Sequence, residues 1–242
     1  MPLSPPPSLT DSVAVVTGGS RGIGYGVAAA LADLGASVVI TARNAERVQT
    51  AARELSAHGL ACEGIACDVT NLTSVNELAA HLRHRYGRID VLVNNAAVAG
   101  PASLLHELTP EAWNQIFDTN VRGVFYMMRA MVPLMIAGGA GHIVNISSLA
   151  GKNPLPRGAA YSASKWALNG LSYSVAEELR SQNIRVSVVC PGSVDTEFSQ
   201  HAGKDASRML RPEDVAHVVA MLVTQRPQSF VSEVLMRPTQ KP

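Results

Sequence analysis

The sequence predicts an α/β fold: one domain built as a three-layer sandwich, with a seven-stranded parallel sheet between two layers of helices. Three observations carry this. Short β-branched apolar runs alternate with longer segments of helical periodicity. The runs are nearly unbroken Val, Ile and Leu, as strands covered on both faces must be. The chain has 242 residues, with no break in composition and no internal repeat, which suits a single core.

The elements follow in order. "VAVVT" (13–17) is the first strand, and the pattern over 22–34 is the helix after it. "ASVVIT" (36–41) is the second strand, followed by a helix over 44–58. "GLACEGIAC" (59–67) is the third. Its Cys62 and Cys67 lie five apart and so face opposite sides, as core residues. A helix over 72–86 leads to "DVLVNNA" (90–96). The next helix covers 109–137. It starts at Thr109-Pro110-Glu111: an N-cap, a proline at the first helical position and an acid in the first turn. Met127, Met128, Met131 and Met135 cluster on this helix, as core filler or as a subunit interface. "GHIVNIS" (141–147), a helix over 158–181, "IRVSVVC" (184–190), a helix over 212–224 begun by Arg211-Pro212-Glu213-Asp214, and "SEVLMRP" (232–238) complete the series. The Pro- and Ser-rich residues 1–10 read as a disordered arm, leaving 11–242 as the domain.

Composition excludes several classes of function. The net charge of +1 gives no basic field for nucleic acid and no acidic tail for a charged partner. Three scattered cysteines form no disulfide framework, which points to buried thiols in a reducing compartment, the cytoplasm. The seven histidines show no ligand spacing, so no metal site is expected. The start lacks the basic and apolar regions of a signal peptide, and no run of about 18 apolar residues offers a membrane span.

Two motifs carry chemistry. "VVTGGSRGIG" (15–24) follows the first strand and opens the first helix, with glycines at Gly18, Gly22 and Gly24. Such a loop lets backbone approach a pyrophosphate and lays it on a helix N-terminus, where free N–H groups favour an anion. A glycine-rich connection without a ligand is the alternative. The end of the second strand decides between nucleotides. A 2′-hydroxyl calls for an acid there, but the position holds Arg43, and Arg21 lies in the loop itself. Two guanidiniums suit a 2′-phosphate, so NADP(H) is favoured over NAD(H). The second motif is "YSASKWALNG" (161–170). Tyr161 and Lys165 stand at i and i+4, on one helix face, with only small residues between them.

With these motifs the chain resembles the short-chain dehydrogenase/reductase family, from about Val13 to the last strand. "TGGSRGIG" is similar to the family's cofactor loop, which implies contacts from Gly18, Ser20, Arg21, Gly22, Ile23 and Gly24. "CDVT" (67–70) resembles the family's adenine contact, implying Asp68 and Val69. "NNAA" (94–97) departs from the family's spelling at Ala97, and implies Asn95, Ala96 and Ala97 beside the cofactor. "CPGSVDT" (190–196) resembles the nicotinamide loop, implying Pro191, Gly192, Val194 and Thr196. "TNVRGVF" carries the family's asparagine, Asn120. "NISSLAG" carries its serine, taken as Ser148 because the family's serine stands 13 residues before the tyrosine.

The resemblance implies a Rossmann-type sheet of order 3-2-1-4-5-6-7, a homotetramer or homodimer, and reduction of a carbonyl. Tyr161 would give the proton, with Lys165 lowering its pKa and both contacting the cofactor. Ser148 would hold the substrate oxygen, and Asn120 would position a relaying water. Within the family the spellings look much like those of 3-oxoacyl-[acyl-carrier-protein] reductases. The segment 132–142 has no lysine or arginine to dock an acidic carrier, although Arg180 and Arg185 follow. The loop from Thr196 to Pro212 looks short for a substrate lid. A free small-molecule carbonyl is therefore the expected substrate, the carrier-bound one the alternative, and a non-catalytic NADP sensor the alternative of another class.

Overall fold

The structure is a computed structural model that describes residues 8–198 and 205–242. Its centre is a sheet of seven parallel strands in the order β3-β2-β1-β4-β5-β6-β7. These are β1 (Val13–Thr17), β2 (Ser37–Ala42), β3 (Cys62–Ala66), β4 (Val91–Asn94), β5 (Gly141–Ile146), β6 (Ile184–Pro191) and β7 (Glu233–Met236). The order and the parallel sense are those expected. Among the described residues, seven α-helices cover it: α1 (Gly22–Asp33), α2 (Ala45–Ala57), α3 (Leu72–Tyr86), α4 (Pro110–Phe117), α5 (Gly123–Gly138), α6 (Ala159–Leu179) and α7 (Pro212–Val223).

The strand alternation sorts side chains into two cores. Ala14 and Val16 of β1 pack with α1, α2 and α7, through residues such as Leu31, Leu55 and Leu222. Val15, between them, packs with α3, α5 and α6, through Leu82, Met131 and Leu168. Both faces of the central strands are thus buried, which is why these strands read as apolar runs. Cys62 and Cys67 pack on opposite cores, as their spacing requires. Met127, Met128, Met131 and Met135 are all buried, so they fill the core and are not an interface.

Three expectations need correction. The helix expected over 109–137 is interrupted by a π turn, Asp118–Arg122, between α4 and α5. Its start is as read: the Thr109 side chain accepts from the Ala112 N–H, with Pro110 next in line. The 29-residue stretch Pro110–Gly138 is also apolar and long enough by composition to cross a membrane, contrary to expectation. Its methionine face lies in the core, however, so the hydropathy is that of a core helix. Finally, the fold begins before residue 11. Leu9 is buried, and its N–H donates to the Leu34 carbonyl at 2.7 Å. The rest of the expected arm, residues 1–7, lies outside the described residues.

Candidate active site

The site forms where the chain leaves the C-terminal ends of β1, β2, β4, β5 and β6. Thr17, the last residue of β1, organises the first part. Its hydroxyl accepts from the N–H groups of Asn95 and Ala96, both at 3.0 Å, and donates to the Val93 carbonyl at 3.3 Å. This draws the chain out of the sheet after Asn94, which is why β4 stops short of the expected 96. The Asn95 amide then donates to the carbonyls of Thr17 (2.9 Å) and Gly18 (3.1 Å).

The glycines are needed for space and for conformation. Gly18 and Gly22 have φ of +65° and +55°, a region that disfavours any Cβ. At Gly24 a Cβ would stand 2.4 Å from the Gly18 carbonyl oxygen, so helix α1 rests directly against the loop. A methyl at Gly19 would lie 2.7 Å from Ile40, a requirement that sequence reading missed. Helix α1 has no side-chain cap and no acid in its first turn, so its first N–H groups remain available to an anion.

The arginines divide in a way the sequence did not indicate. Arg21 is ion-paired with Glu197, beyond Thr196, so it closes across the loop rather than standing free for a phosphate. Arg43 has no hydrogen bond or ion pair among the described residues and lines the cleft just after β2. Beside it, the buried Thr41 hydroxyl has no partner among the described residues. Asp68 accepts from the N–H and the hydroxyl of Thr70 at 2.9 and 2.8 Å, which fixes its carboxylate at the cleft wall.

On the other side, Ser148 opens the 3₁₀ turn Leu149–Gly151, and its hydroxyl accepts from the Ala150 N–H at 3.1 Å. Helix α6 carries Tyr161 and Lys165 to it. The small residues of "YSASK" now have a clear use. The Ser162 hydroxyl donates to the Ala150 carbonyl at 2.6 Å, and a Cβ at Gly151 would lie 3.0 Å from the Lys165 backbone. The helix and the serine turn therefore lie in direct contact. The Lys165 ammonium is buried, donates to the Ile146 carbonyl at 2.9 Å and stands 5.8 Å from the centre of the Tyr161 ring.

Burial dominates the titration of both groups. It pushes the Tyr161 phenol up to about 12, with the hydrogen bond to Ser148 pulling the other way. Burial lowers Lys165 to about 8, with Cys190 opposing. The phenol is therefore not lowered as expected: its desolvation outweighs the Ser148 hydrogen bond, and the Lys165 ammonium, 5.8 Å from the ring centre, adds no resolved shift. The consequence is a neutral phenol that keeps its proton across the whole physiological range, next to an ammonium poised near neutrality.

Asn120 sits in the π turn, a distortion that often marks functional sites. Its side-chain oxygen accepts from the Val98 N–H (2.8 Å), and its amide donates to the Val98 carbonyl (2.9 Å) and the Ser164 hydroxyl (3.0 Å). Both amide hydrogens are thus committed to the protein, while Oδ1, with two lone pairs, accepts from Val98 alone among the described residues. Ser164 in turn donates to the Tyr161 carbonyl at 2.7 Å, tying the asparagine to helix α6.

The nicotinamide-loop candidates close the far wall. The Gly192 N–H donates to the Met236 carbonyl at 2.9 Å, and a Cβ at Gly192 would meet Pro238 at 3.1 Å and Leu149 at 3.2 Å. Val194 bridges to Leu210, and the methyl of Thr196 would lie 3.3 Å from a Cβ at Gly22. The ring of Phe198 faces that of Tyr161 at 6.1 Å. Residues 199–204 of the expected lid lie outside the described residues. One cleft of about 1460 Å³ runs along all of these groups, and every site residue named from the sequence lines it except Gly24 and Asn120, which support it from behind. Thr17 and Ser164 were not legible as site residues.

Comparison with known proteins agrees with this architecture. A family model described as short chain dehydrogenase matches residues 12–207. An uncharacterized oxidoreductase of Staphylococcus saprophyticus is 36% identical over 231 residues, covering 95% of this chain and 98% of that protein. A metagenomic short-chain oxidoreductase solved in complex with NADP is 48% identical, with a TM-score of 0.85 over 96% of this chain and 99% of its own. A variant actinorhodin polyketide ketoreductase solved with NADPH is 32% identical, with a TM-score of 0.86 over 93% of this chain and 95% of its own.

Proposed function

The chain belongs to the short-chain dehydrogenase family, and from that premise we propose that it is an NADPH-dependent reductase of a free small-molecule carbonyl. The observation that carries this is the meeting of Ser148, Tyr161 and Lys165 in the same cleft as an uncapped, glycine-lined helix N-terminus. The cleft fits NADP(H). The α1 N-terminus suits the pyrophosphate, Arg43 suits the 2′-phosphate, and Asp68 and Val69 suit the adenine. When bound, the reduced nicotinamide supplies a hydride to the carbonyl carbon.

The chain's own residues do the rest. The Ser148 hydroxyl orients the carbonyl oxygen. Tyr161 delivers its proton to that oxygen as negative charge develops there. The Lys165 ammonium stabilises the phenolate left behind. The residues of 191–196 hold the nicotinamide half, and Asn120 braces the Tyr161 helix through Ser164.

A free substrate is favoured over a carrier-bound one by the state of Arg180 and Arg185. Arg180 is paired with Glu177 at 2.7 Å, and Arg185 donates to the carbonyls of Gln225 and Ser229. Neither is left to dock an acidic carrier. Self-association, as a homodimer or homotetramer, is the other part of the reading. It is supported by the exposed rings of Trp113, Phe125 and Trp166 on α4, α5 and α6, and light scattering of the purified chain tests it.

The deciding assay follows reduced-nicotinamide absorbance with NADPH and a panel of ketones, aldehydes and β-ketoacyl conjugates. Turnover is expected, and Tyr161→Phe removes nearly all of it while NADPH still binds. Tight NADPH binding with no turnover of any carbonyl would make the chain a sensor instead.

A further inference from the structure

The catalytic parts stand on three separate segments: the serine turn after β5, helix α6, and the loop after β6. Outside the cleft, one carboxylate touches all three. Glu233 is the first residue of β7, the edge strand, and pairs in register with Val188 of β6. Its neighbours Val234 and Met236 pack into the core on the α1 and α7 side. The pleat therefore turns Glu233 toward α6.

There its Oε1 accepts from the Lys152 ammonium at 2.6 Å, the Tyr173 hydroxyl at 2.6 Å and, more weakly, the Cys190 thiol at 3.8 Å. Lys152 also donates to the Tyr173 hydroxyl at 2.5 Å. Lys152 caps the turn that Ser148 opens. Tyr173 lies on α6, three turns beyond Tyr161 and two beyond Lys165. Cys190 directly precedes Pro191 and Gly192. The ion pair is only about one-quarter exposed on either side. Its charges are set: despite burial, Lys152 and Tyr173 hold the Glu233 carboxyl below its ordinary value, while Glu233 and Tyr173 hold Lys152 above its own.

We propose that Glu233 is a positioning residue of the reductase: its carboxylate fixes the spacing of the serine turn, the Tyr161–Lys165 helix and the nicotinamide loop. This rests on the proposed function. The effect on the two halves of the cofactor must differ. The glycine loop, Arg43 and Asp68, which face the adenine half, make no contact with this cluster. The nicotinamide half depends on the segments it joins. An inward-pointing charge on an edge strand also discourages pairing with another chain, but that role alone leaves cofactor binding untouched.

The test measures binding of NADPH and of 2′-phospho-ADP-ribose, which lacks the nicotinamide, to the full chain and to Glu233→Gln. Tyr173→Phe, which cuts only the tie to α6 at an exposed ring, serves as a second variant should the first fold poorly. Losing a charged hydrogen bond predicts roughly tenfold weaker NADPH, with 2′-phospho-ADP-ribose changed less than about twofold. Where a carbonyl substrate is turned over, kcat falls at least roughly tenfold with KM little altered. The charge swap Lys152→Glu with Glu233→Lys recovers part of both. Equal loss of both ligands, or loss of neither, overturns the inference and leaves the proposed function standing. Failure of the unchanged chain to bind NADPH refutes the dinucleotide reading, and this inference with it.

Discussion

The proton on Lys165 should control the reductive step, and its removal is a perturbation that needs no mutation. Tyr161 holds its proton up to about 12, so the phenol does not limit the rate below that pH. Lys165 is the group that titrates first, near 8 instead of its ordinary 10.5. Below that value an ammonium stands 5.8 Å from the centre of the tyrosine ring on which the phenolate forms. With an effective dielectric of about 20, a charge pair at that separation is worth about 3 kcal/mol. That converts to roughly a hundredfold in rate if the phenolate is fully developed. At pH 9 only about a tenth of the lysines remain charged, against nearly all for an unperturbed side chain. The rate of hydride and proton transfer should therefore fall from pH 8, by up to about tenfold per unit, toward a plateau roughly a hundredfold lower. Lys165→Met should sit near that plateau at neutral pH and show no limb. The assay is single-turnover loss of bound NADPH absorbance at saturating carbonyl, with deuterated NADPH to show that hydride transfer limits the rate. A wild-type profile flat through pH 9.5, or the same limb in Lys165→Met, would refute the reasoning.

Other expectations follow from the same geometry. Arg43→Ala should weaken NADPH roughly tenfold to a hundredfold and leave NADH unchanged, because a charge-assisted bond to the 2′-phosphate is worth about 1.5–3 kcal/mol. Arg21→Ala breaks only an exposed pair with Glu197 and should shift either Kd by less than about fivefold; calorimetry distinguishes the two arginines. Gly24→Ala places a methyl 2.4 Å from the Gly18 carbonyl oxygen, so fluorescence titration should find NADPH binding lost, and retained affinity would show that α1 can move away. Burial, with Arg185 adding to it, lowers His142 from 6.5 to about 3. The unfolded chain therefore binds the extra proton in that window, and stability, complete above about pH 6.5, is lost as pH falls toward 3. Urea melts should show a loss of about 3 kcal/mol between pH 7 and 4 from this residue, and His142→Gln should flatten that dependence.

Much of this molecule was legible from local pattern because each signal had a local cause. The central strands announced themselves because both faces are buried. The glycines did so because backbone crowding at Gly18 and Gly24 tolerates nothing larger, and the Tyr161–Lys165 pair because helical spacing alone puts both on one face. What was not legible depends on partners distant in the chain. The stretch from Pro110 to Gly138 keeps its apolar periodicity through the π turn, so it reads as one helix. The turn exists where Asn120 bonds Val98 and Ser164, which are 22 and 44 residues away. Thr17 looks like any β-branched strand residue until Asn95 and Ala96 arrive from β4 to use its hydroxyl. The direction of the Tyr161 shift failed for a related reason: spacing reveals a neighbouring charge, but depth of burial is a property of the assembled walls.

The sheet order explains why those distant partners meet. Strand β1 has β2 on one side and β4 on the other. The crossover connections therefore leave in opposite directions and part the covering helices at the carboxyl ends, which opens a crevice there. Every residue that follows a strand on the β4 side, first Asn95, then Ser148, then Gly192, enters that crevice in the spatial order of the strands. The glycine loop after β1 and Arg43 after β2 enter from the other direction. A cofactor laid along the strand ends would thus meet the proposed phosphate readers at one end and the proposed proton donor at the other. The spacing between those ends is set by the sheet and not by any single loop. Side chains that hold neighbouring strand ends together, such as Asn94 donating to Asn145 at 2.8 Å and Asn145 donating to Ser172 of α6 at 2.8 Å, therefore bear on the chemistry without touching it.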